Sequence, residues 1–444
     1  MDNNYRISVI KSLKKILNDK SYSNLVINND IKNIEHKYDA IYRKSVLGVI
    51  ENLLFIDWII NQMSKINTKK METEVLITIR LAVYQMFFLK NSYENIVVNE
   101  SVQYTKEKVN MHVSKFVNAV LRNIIRNKEK LINDMNQLPF LDYLSVKYSY
   151  PKWLVIKWID QFGKDKIEDV LIANNSESPL EIRVNSLKLS REELIVLLEN
   201  NGIIAHKCEI SDKGLIIENP SEIDKSDAYK NGLFSIQSES SMLVGQVLNP
   251  IENSFVLDLC AAPGGKSLSV AEAINNTGKI ISRDIYNNKI PLINNEARRL
   301  GIKNITADVF DATKTDEDLI GKVDYCIVDV PCSGLGIIRR KPEIKYNKTE
   351  FDLENIKKIQ YKILENASKY LKVNGELVYS TCTTNKEENI DVIKLFLNQN
   401  KNFIAVNISN ETKNRFNTSD EGYIEIYPHI HHLDGFFIAK LKRL

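Results

Sequence analysis

Two cysteines close two apolar runs of this 444-residue chain: Cys332 in "DVPCSG" (329–334), just after "YCIV", and Cys382 in "STCTT" (380–384), just after "GELVY". Each run reads as a strand, so each thiol is expected at a strand end, where a side chain can reach a ligand. A thiolate placed there can add to an electron-poor carbon and form a covalent intermediate. A packing role is the ordinary alternative for either cysteine alone, because free Cys is among the most buried residue types. Spacing leaves open which of the two would attack.

The elements that must carry these thiols alternate in period. "FVLDLCAA", "KIISRDI", "NITADVF", "YCIVDVP" and "GELVYSTC" are short apolar strands, and helical patterns such as "NKIPLINNEARRL" and "EFDLENIKKIQYKILENASKYLK" lie between them. Such an alternation predicts an α/β domain on a parallel sheet covered on both faces, with ligands at the carboxyl ends of the strands. Asp258, Asp284, Asp308 and Asp329 are expected there with the two cysteines. In "LDLCAAPGGKS" (257–267) the residues Cys260, Ala261, Ala262, Pro263, Gly264, Gly265 and Lys266 form a turn of little bulk that opens a helix, expected from Gly264. The free N–H groups at such a helix start favour a carboxylate or phosphate. The turn is neither GxGxxG nor a P-loop, which argues against a nicotinamide or nucleoside triphosphate. Asp284, about 20 residues beyond the turn, could accept hydrogen bonds from both hydroxyls of a ribose. Asp308, after the third strand, could accept from an adenine amine. Together these residues outline a site for an adenosine with a short charged tail, and S-adenosylmethionine (SAM) fits it.

Two further regions precede this domain. Residues 1–135 read as helices throughout; "SVLGVIENLLFIDWIINQM" (45–63), "METEVLITIRLAVYQMFFL" (71–89) and "HVSKFVNAVLRNIIRNKEKL" (112–131) all have apolar positions at helical spacing. Residues 1–150 hold 22 Lys and Arg against 15 Asp and Glu, whereas the chain as a whole is only +3. A basic face with Lys115, Arg122, Arg126, Lys128 and Lys130 is therefore expected to meet a polyanion. Residues 136–235 read as a small α+β subdomain, with strands in "SPLEIRVNSLKL", "GLIIENP" and "GLFSIQ" and a capping box from Ser190 to Glu193. The catalytic domain is expected over 236–444. After the Pro-Cys loop, "IIRRKPEIKYNK" (337–348) sets Arg339, Arg340, Lys341, Lys345 and Lys348 in one basic stretch, read as a loop that grips phosphates.

Composition narrows the classes. Hydrophobic content is 43% and charged content 26%, ordinary for a globular protein. The first residues carry no signal-peptide pattern, and no apolar run approaches the ~18 residues of a membrane helix. Five widely spread cysteines make no disulfide framework. The histidines of "HIHH" (429–432) lack partners at ligand spacing, so no metal is expected. A reducing cytoplasm is the expected setting.

"DLCAAPGGKS", "VDVPCSGLGIIRRKPEIK", "YSTCTTNKEEN" and the terminal "DGFFIAKL" resemble the signature of bacterial SAM-dependent RNA cytosine-5 methyltransferases. The resemblance is to the ribosomal small-subunit methyltransferase B family, and it covers nearly the whole chain. It implies an all-α NusB-like, RNA-binding N-terminal domain, an α+β linking subdomain and a Rossmann-like methyltransferase domain. It implies that Cys382 is the nucleophile and Cys332 assists adduct release, with Asp329 beside both, and that Cys260 to Lys266, Asp284, Asp308 and Asp329 hold SAM. It further implies a cytosine of 16S rRNA, unassembled or at an early assembly state, as substrate; the oligomeric state is left open by the sequence, with a monomer expected. Thr383 stands where the family commonly has Ser, and "QSES" (237–240) stands where it has an acidic "QD".

Overall fold

The computed structural model describes residues 3–90, 92–218 and 223–444. It divides into two compact units: residues 1–176 with Ile338–Lys348, and Glu177–Ile337 with Thr349–Leu444.

The first unit is helical among its described residues, around a core that includes Val9, Ile10, Leu13, Ile56, Ile59, Leu81 and Leu121. Two of its expected helices are broken. The 45–63 run divides at Asn52 into Asp39–Glu51 and Leu53–Met63, bent by 73°. Asn52 sits off the helical conformation (φ −107°, ψ 23°) and its Nδ2 donates back to the Gly48 carbonyl at 2.9 Å, which terminates the first segment. The 112–131 run ends at Arg126, where Asn127 turns in the same way, and continues as Lys128–Asn136. Helix Met111–Arg126 starts at Asn110, whose side chain accepts from the Val113 N–H at 2.9 Å. No single helix among the described residues is long and apolar enough to cross a membrane.

The second unit holds two sheets. The smaller is antiparallel in the order β2-β3-β1-β4, with β1 Leu180–Val184, β2 Ala205–Lys207, β3 Gly214–Ile217 and β4 Phe234–Ile236. Helix Arg191–Asn200 packs beside it and carries the Ser190–Glu193 capping box. Strand β2 is too short, with too little apolar content, to have been expected. Asn219 and Pro220, part of the run read as the next strand, lie outside the described residues.

The larger sheet runs β10-β12-β9-β8-β5-β6-β7, with β11 paired to β12. Its strands are β5 Phe255–Asp258, β6 Lys279–Asp284, β7 Ile305–Val309, β8 Val323–Asp329, β9 Leu371–Thr381, β10 Phe403–Ala405, β11 Tyr423–Ile426 and β12 Phe436–Arg443. Strands β5 to β9 are parallel. The sheet is not parallel throughout: β12 runs antiparallel to β9, β10 and β11. Only residues 427–435 join β11 to β12, too few for a crossover, so the chain must return in the opposite direction. The strand order reverses between β5 and β8, and the crevice at their carboxyl ends is where a ligand enters such a sheet.

Candidate active site

Strand β5 delivers the small-residue turn. Gly264 has φ +111°, a conformation that side chains rarely adopt, and it lets the chain pass from the strand into helix Gly265–Ala273. Asp258 is buried beneath the turn; its Oδ2 accepts from Ser267 Oγ at 2.5 Å and its Oδ1 faces the Cys260 N–H at 3.4 Å. Burial lifts its carboxyl to about 7. Asp258 therefore orders the turn from below. From the smaller sheet, the buried Arg183 donates Nη1 to the Gly265 carbonyl at 2.8 Å and pairs with Glu272 at 2.7 Å. The same Nη1 meets Gln237 Oε1. Glu239, in the "QSES" departure, caps the N–H groups of Ile210 and Ser211 at 2.7 and 2.8 Å.

At the end of β6, Asp284 turns one oxygen to the Tyr286 N–H (3.0 Å) and Lys289 (3.6 Å), both through Oδ1. Asp308 is the penultimate residue of β7 and not beyond it. The register sets it beside Arg283, whose Nε donates to Asp308 Oδ1 at 3.2 Å, and its side chain is 45% exposed. Arg283 also donates to Asp316 at 2.7 Å and stacks 4.2 Å from the Phe310 ring.

Strands β8 and β9 bring the two thiols together. Asp329 pairs with Ser380 in register, and the loops beyond place Cys332 Sγ 3.3 Å from Cys382 Sγ. Asp329 accepts from Ser380 Oγ at 2.7 Å and from Lys266 Nζ at 2.6 Å. Burial works against the Lys266 charge, but Asp329, with a smaller contribution from Cys382, raises its pKa overall. The Cys332 thiol is pushed well up by its hydrogen bond to Cys382 and then by burial. Burial holds Cys208, Cys260 and Cys326 as neutral thiols.

Several residues of the site carry no signal that a sequence reading could use. Glu388 is buried and accepts from Ser333, Gln360 and Asn385 around the two loops. Gly336 and Gly435 meet backbone to backbone: the Gly435 N–H donates to the Gly336 carbonyl at 2.8 Å, and the Gly336 N–H to the Cys382 carbonyl at 3.0 Å. A Cβ on Gly336 would lie 2.0 Å from the Gly435 oxygen. Only their place in quoted motifs marked these residues.

The basic residues divide. Arg122 and Arg126 are exposed on helix Met111–Arg126, and Lys115 shares their exposure. Lys128 is engaged by Glu94 and the Met86 carbonyl. The stretch 337–348 is not a solvated loop. Residues Ile338–Lys348 belong to the helical unit, Arg339, Arg340 and Lys341 are half-buried, and Lys345 is fully buried there.

Residues 245–442 match the family model described as 16S rRNA methyltransferase RsmB/F. Residues 3–126 match the NusB family and 150–224 the ferredoxin-like domain of RsmF/B-like methyltransferases. The chain is 33% identical to the "Probable ribosomal RNA small subunit methyltransferase B" of Bacillus subtilis over 98% of its own length and 97% of the relative's. It is 32% identical to the 28S rRNA (cytosine-C(5))-methyltransferase of Mus musculus, over 68% of this chain and 40% of that one. Among solved structures it is similar to PH0851, with 27% identity and a TM-score of 0.87 covering 100% of this chain and 99% of that one. Identity of this extent, over nearly the whole chain, shows that it belongs to the RsmB/F family of rRNA methyltransferases.

Proposed function

We propose that this protein transfers a methyl group from SAM to C5 of a cytosine in 16S rRNA, with Cys382 as nucleophile. The observation that carries the reading is the 3.3 Å approach of two sulfurs at the ends of adjacent strands, beside the Lys266–Asp329 pair. Cytosine C5 is a weak nucleophile. Addition of the Cys382 thiolate at C6 pushes electron density to C5, and the C5–methyl bond can then form. The C5 proton must next pass to a base, and the C6–sulfur bond breaks to return the electron pair to Cys382. Cys332, 3.3 Å from Cys382, would assist that release by protonating the departing sulfur. Asp329 offers its carboxylate to the polar edge of the base.

The residues present fit SAM, which supplies the electrophilic methyl when bound. Cys260, Ala261, Ala262, Pro263, Gly264, Gly265 and Lys266 would hold its amino-acid end, at a helix start whose first N–H groups have no partner within the helix. Asp284 would take the ribose, because its Oδ2 receives no protein donor among the described residues. Asp308 would take the adenine with the oxygen that Arg283 leaves open. Arg122, Arg126, Arg339, Arg340 and Lys341, all in the helical unit, would contact RNA phosphates. We read 1–135 as RNA-binding, 136–235 as linking and 236–444 as catalytic. The match to a small-subunit relative spans 98% of the chain and that to the 28S enzyme 68%, which favours the small subunit. The chemistry needs reduced thiols and therefore a cytoplasmic setting, and an unstacked cytosine favours unassembled or early-assembly RNA.

The test is covalent trapping. Cys332→Ala should leave a protein–RNA adduct that survives a denaturing gel, while Cys382→Ala should give neither adduct nor methyl transfer. The opposite pattern reverses the two roles.

A further inference from the structure

Resting on the two-thiol reading above, we propose that Glu388 is the positioning residue that sets the Cys332 loop against the Cys382 loop. Its carboxylate lies fully buried, close to both loops. Oε1 accepts from Ser333 Oγ at 2.6 Å and Asn385 Nδ2 at 3.1 Å, and Oε2 from the Ser333 N–H at 2.8 Å and Gln360 Nε2 at 3.1 Å. Ser333 is thus gripped by backbone and side chain at the residue next to Cys332. Gln360 also donates to the Pro331 carbonyl at 3.0 Å, so both neighbours of Cys332 are tied to one cluster.

The Cys382 side is held by Asn389, the next residue, and by the Glu388 carbonyl. Asn389 accepts from Thr381 Oγ1 at 2.6 Å and donates to the Thr383 carbonyl at 3.0 Å, which fixes both neighbours of Cys382. The Glu388 carbonyl receives the Tyr379 hydroxyl at 2.7 Å. Thr383 Oγ1 stands 2.8 Å from Ser333 Oγ, so the hydroxyl at this position closes the link between the loops.

Filling space would not require a carboxylate. A buried carboxylate oxygen without a donor is costly, and both oxygens of Glu388 meet donors: Ser333 Oγ, Asn385 Nδ2 and Thr383 Oγ1 at Oε1, the Ser333 N–H and Gln360 Nε2 at Oε2. Those donors come from three places: the Pro-Cys loop, helix Glu350–Tyr370 and the segment after Cys382. The charge also bears on the chemistry. After the Cys382 hydrogen bond and burial, Glu388 is among the charges that raise the Cys332 thiol.

The experiment compares the full-length protein with Glu388→Gln, Glu388→Asp and Ser333→Ala. Three quantities are read: single-turnover methyl transfer, SAM affinity by calorimetry, and the pH profile of iodoacetamide labelling at Cys332, resolved by peptide mass spectrometry. Glu388→Gln keeps the size but loses the charge and points a donor at donors. Transfer should fall about 100-fold, as expected for a misplacement of roughly 1 Å, with SAM affinity held within about threefold and Cys332 labelling moved to lower pH. Glu388→Asp, which keeps the charge, should restore the labelling profile while transfer stays reduced. Transfer near the parent rate together with an unmoved labelling profile in Glu388→Gln overturns the proposal. Should Glu388→Gln fail to fold, Ser333→Ala decides. It removes one donor and leaves the charge, so reduced transfer with an unchanged labelling profile supports the clamp, and parent-like transfer overturns it. The labelling arm needs no RNA. A parent protein inactive on cytosine would therefore sink the proposed function without touching this readout.

Discussion

Replacing Lys345 with Met tests how the segment after the Pro-Cys loop is held. Lys345 is completely buried in the helical unit, where Nζ donates to Asn175 Oδ1 at 2.6 Å and to the Glu51 carbonyl at 3.1 Å, 4.0 Å from the Tyr150 ring. Burial pushes its pKa from 10.5 down to about 7. The folded value lies below the unfolded one, so between these limits the unfolded chain keeps a proton that the folded protein has given up. Stability from this group must therefore rise with pH across that window and fall as pH drops toward 7. Shifted by that amount, the group should add about 1.3 kcal/mol to stability between pH 8 and pH 9.

Lys345→Met has no such titration. At pH 8 it removes the cost of deprotonating the amine on folding but abandons two or three acceptors at roughly 1 kcal/mol each, so its net effect there is a small difference of opposing terms. The pH dependence is the clean quantity. The parent should gain about 1.3 kcal/mol on the variant from pH 8 to pH 9. Urea unfolding followed by tryptophan fluorescence measures it, because Trp58, Trp153 and Trp158 are all the tryptophans of the chain and all lie in the helical unit. Tyr150 and Tyr346, both raised by burial, titrate above this range and stay silent. A difference between the two proteins that is the same at both pH values refutes the reasoning.

Asp284→Ala should weaken SAM binding by about 10- to 100-fold, the worth of hydrogen bonds to a charged group, with RNA affinity retained; equal losses in calorimetry count against its ribose role. Arg122→Ala and Arg126→Ala should each flatten the salt dependence of RNA binding by about 0.7 to 0.9 in log–log slope, and filter-binding curves of unchanged slope would remove that face from the contact. Gly336→Ala, which places a Cβ 2.0 Å from the Gly435 oxygen and 2.9 Å from that of Cys382, should lower methyl transfer while SAM binding persists. Parent-like kinetics would show that this backbone contact is not needed to seat Cys382.

The strands β5 to β9 were legible because each is a short apolar run bounded by turn chemistry, and the capping box at Ser190 marked its helix for the same local reason. Elements whose form depends on distant partners were not. Strand β12 reads as an apolar run, yet its direction follows from the short return after β11. The helical period runs on through Asn52 and Asn127, and each break is made by one amide returning to the preceding turn. The basic run 337–348 reads as one phosphate-gripping loop because its five cations lie close together in sequence; in the fold Lys345 lies instead in a hydrogen-bonded cluster formed with residues far away in sequence.

The candidate site divides along the same line. Cys332, Cys382 and Asp329 were accessible because strand ends in a doubly wound sheet converge, so their types and order could be read along the chain. Glu388 sits in the polar run "TTNKEEN", where no local pattern marks it as internal, and only the convergence of Ser333, Gln360 and Asn385 shows it to be so. The same packing sharpens the part proposed for Asp329. A carboxylate has about four lone-pair positions; Ser380 takes one on Oδ1 and Lys266 one on Oδ2. One position on each oxygen is left for a base or an amino group. Asp329 can thus meet a ligand without surrendering Lys266, and the cation stays near Cys382, the sulfur proposed to attack.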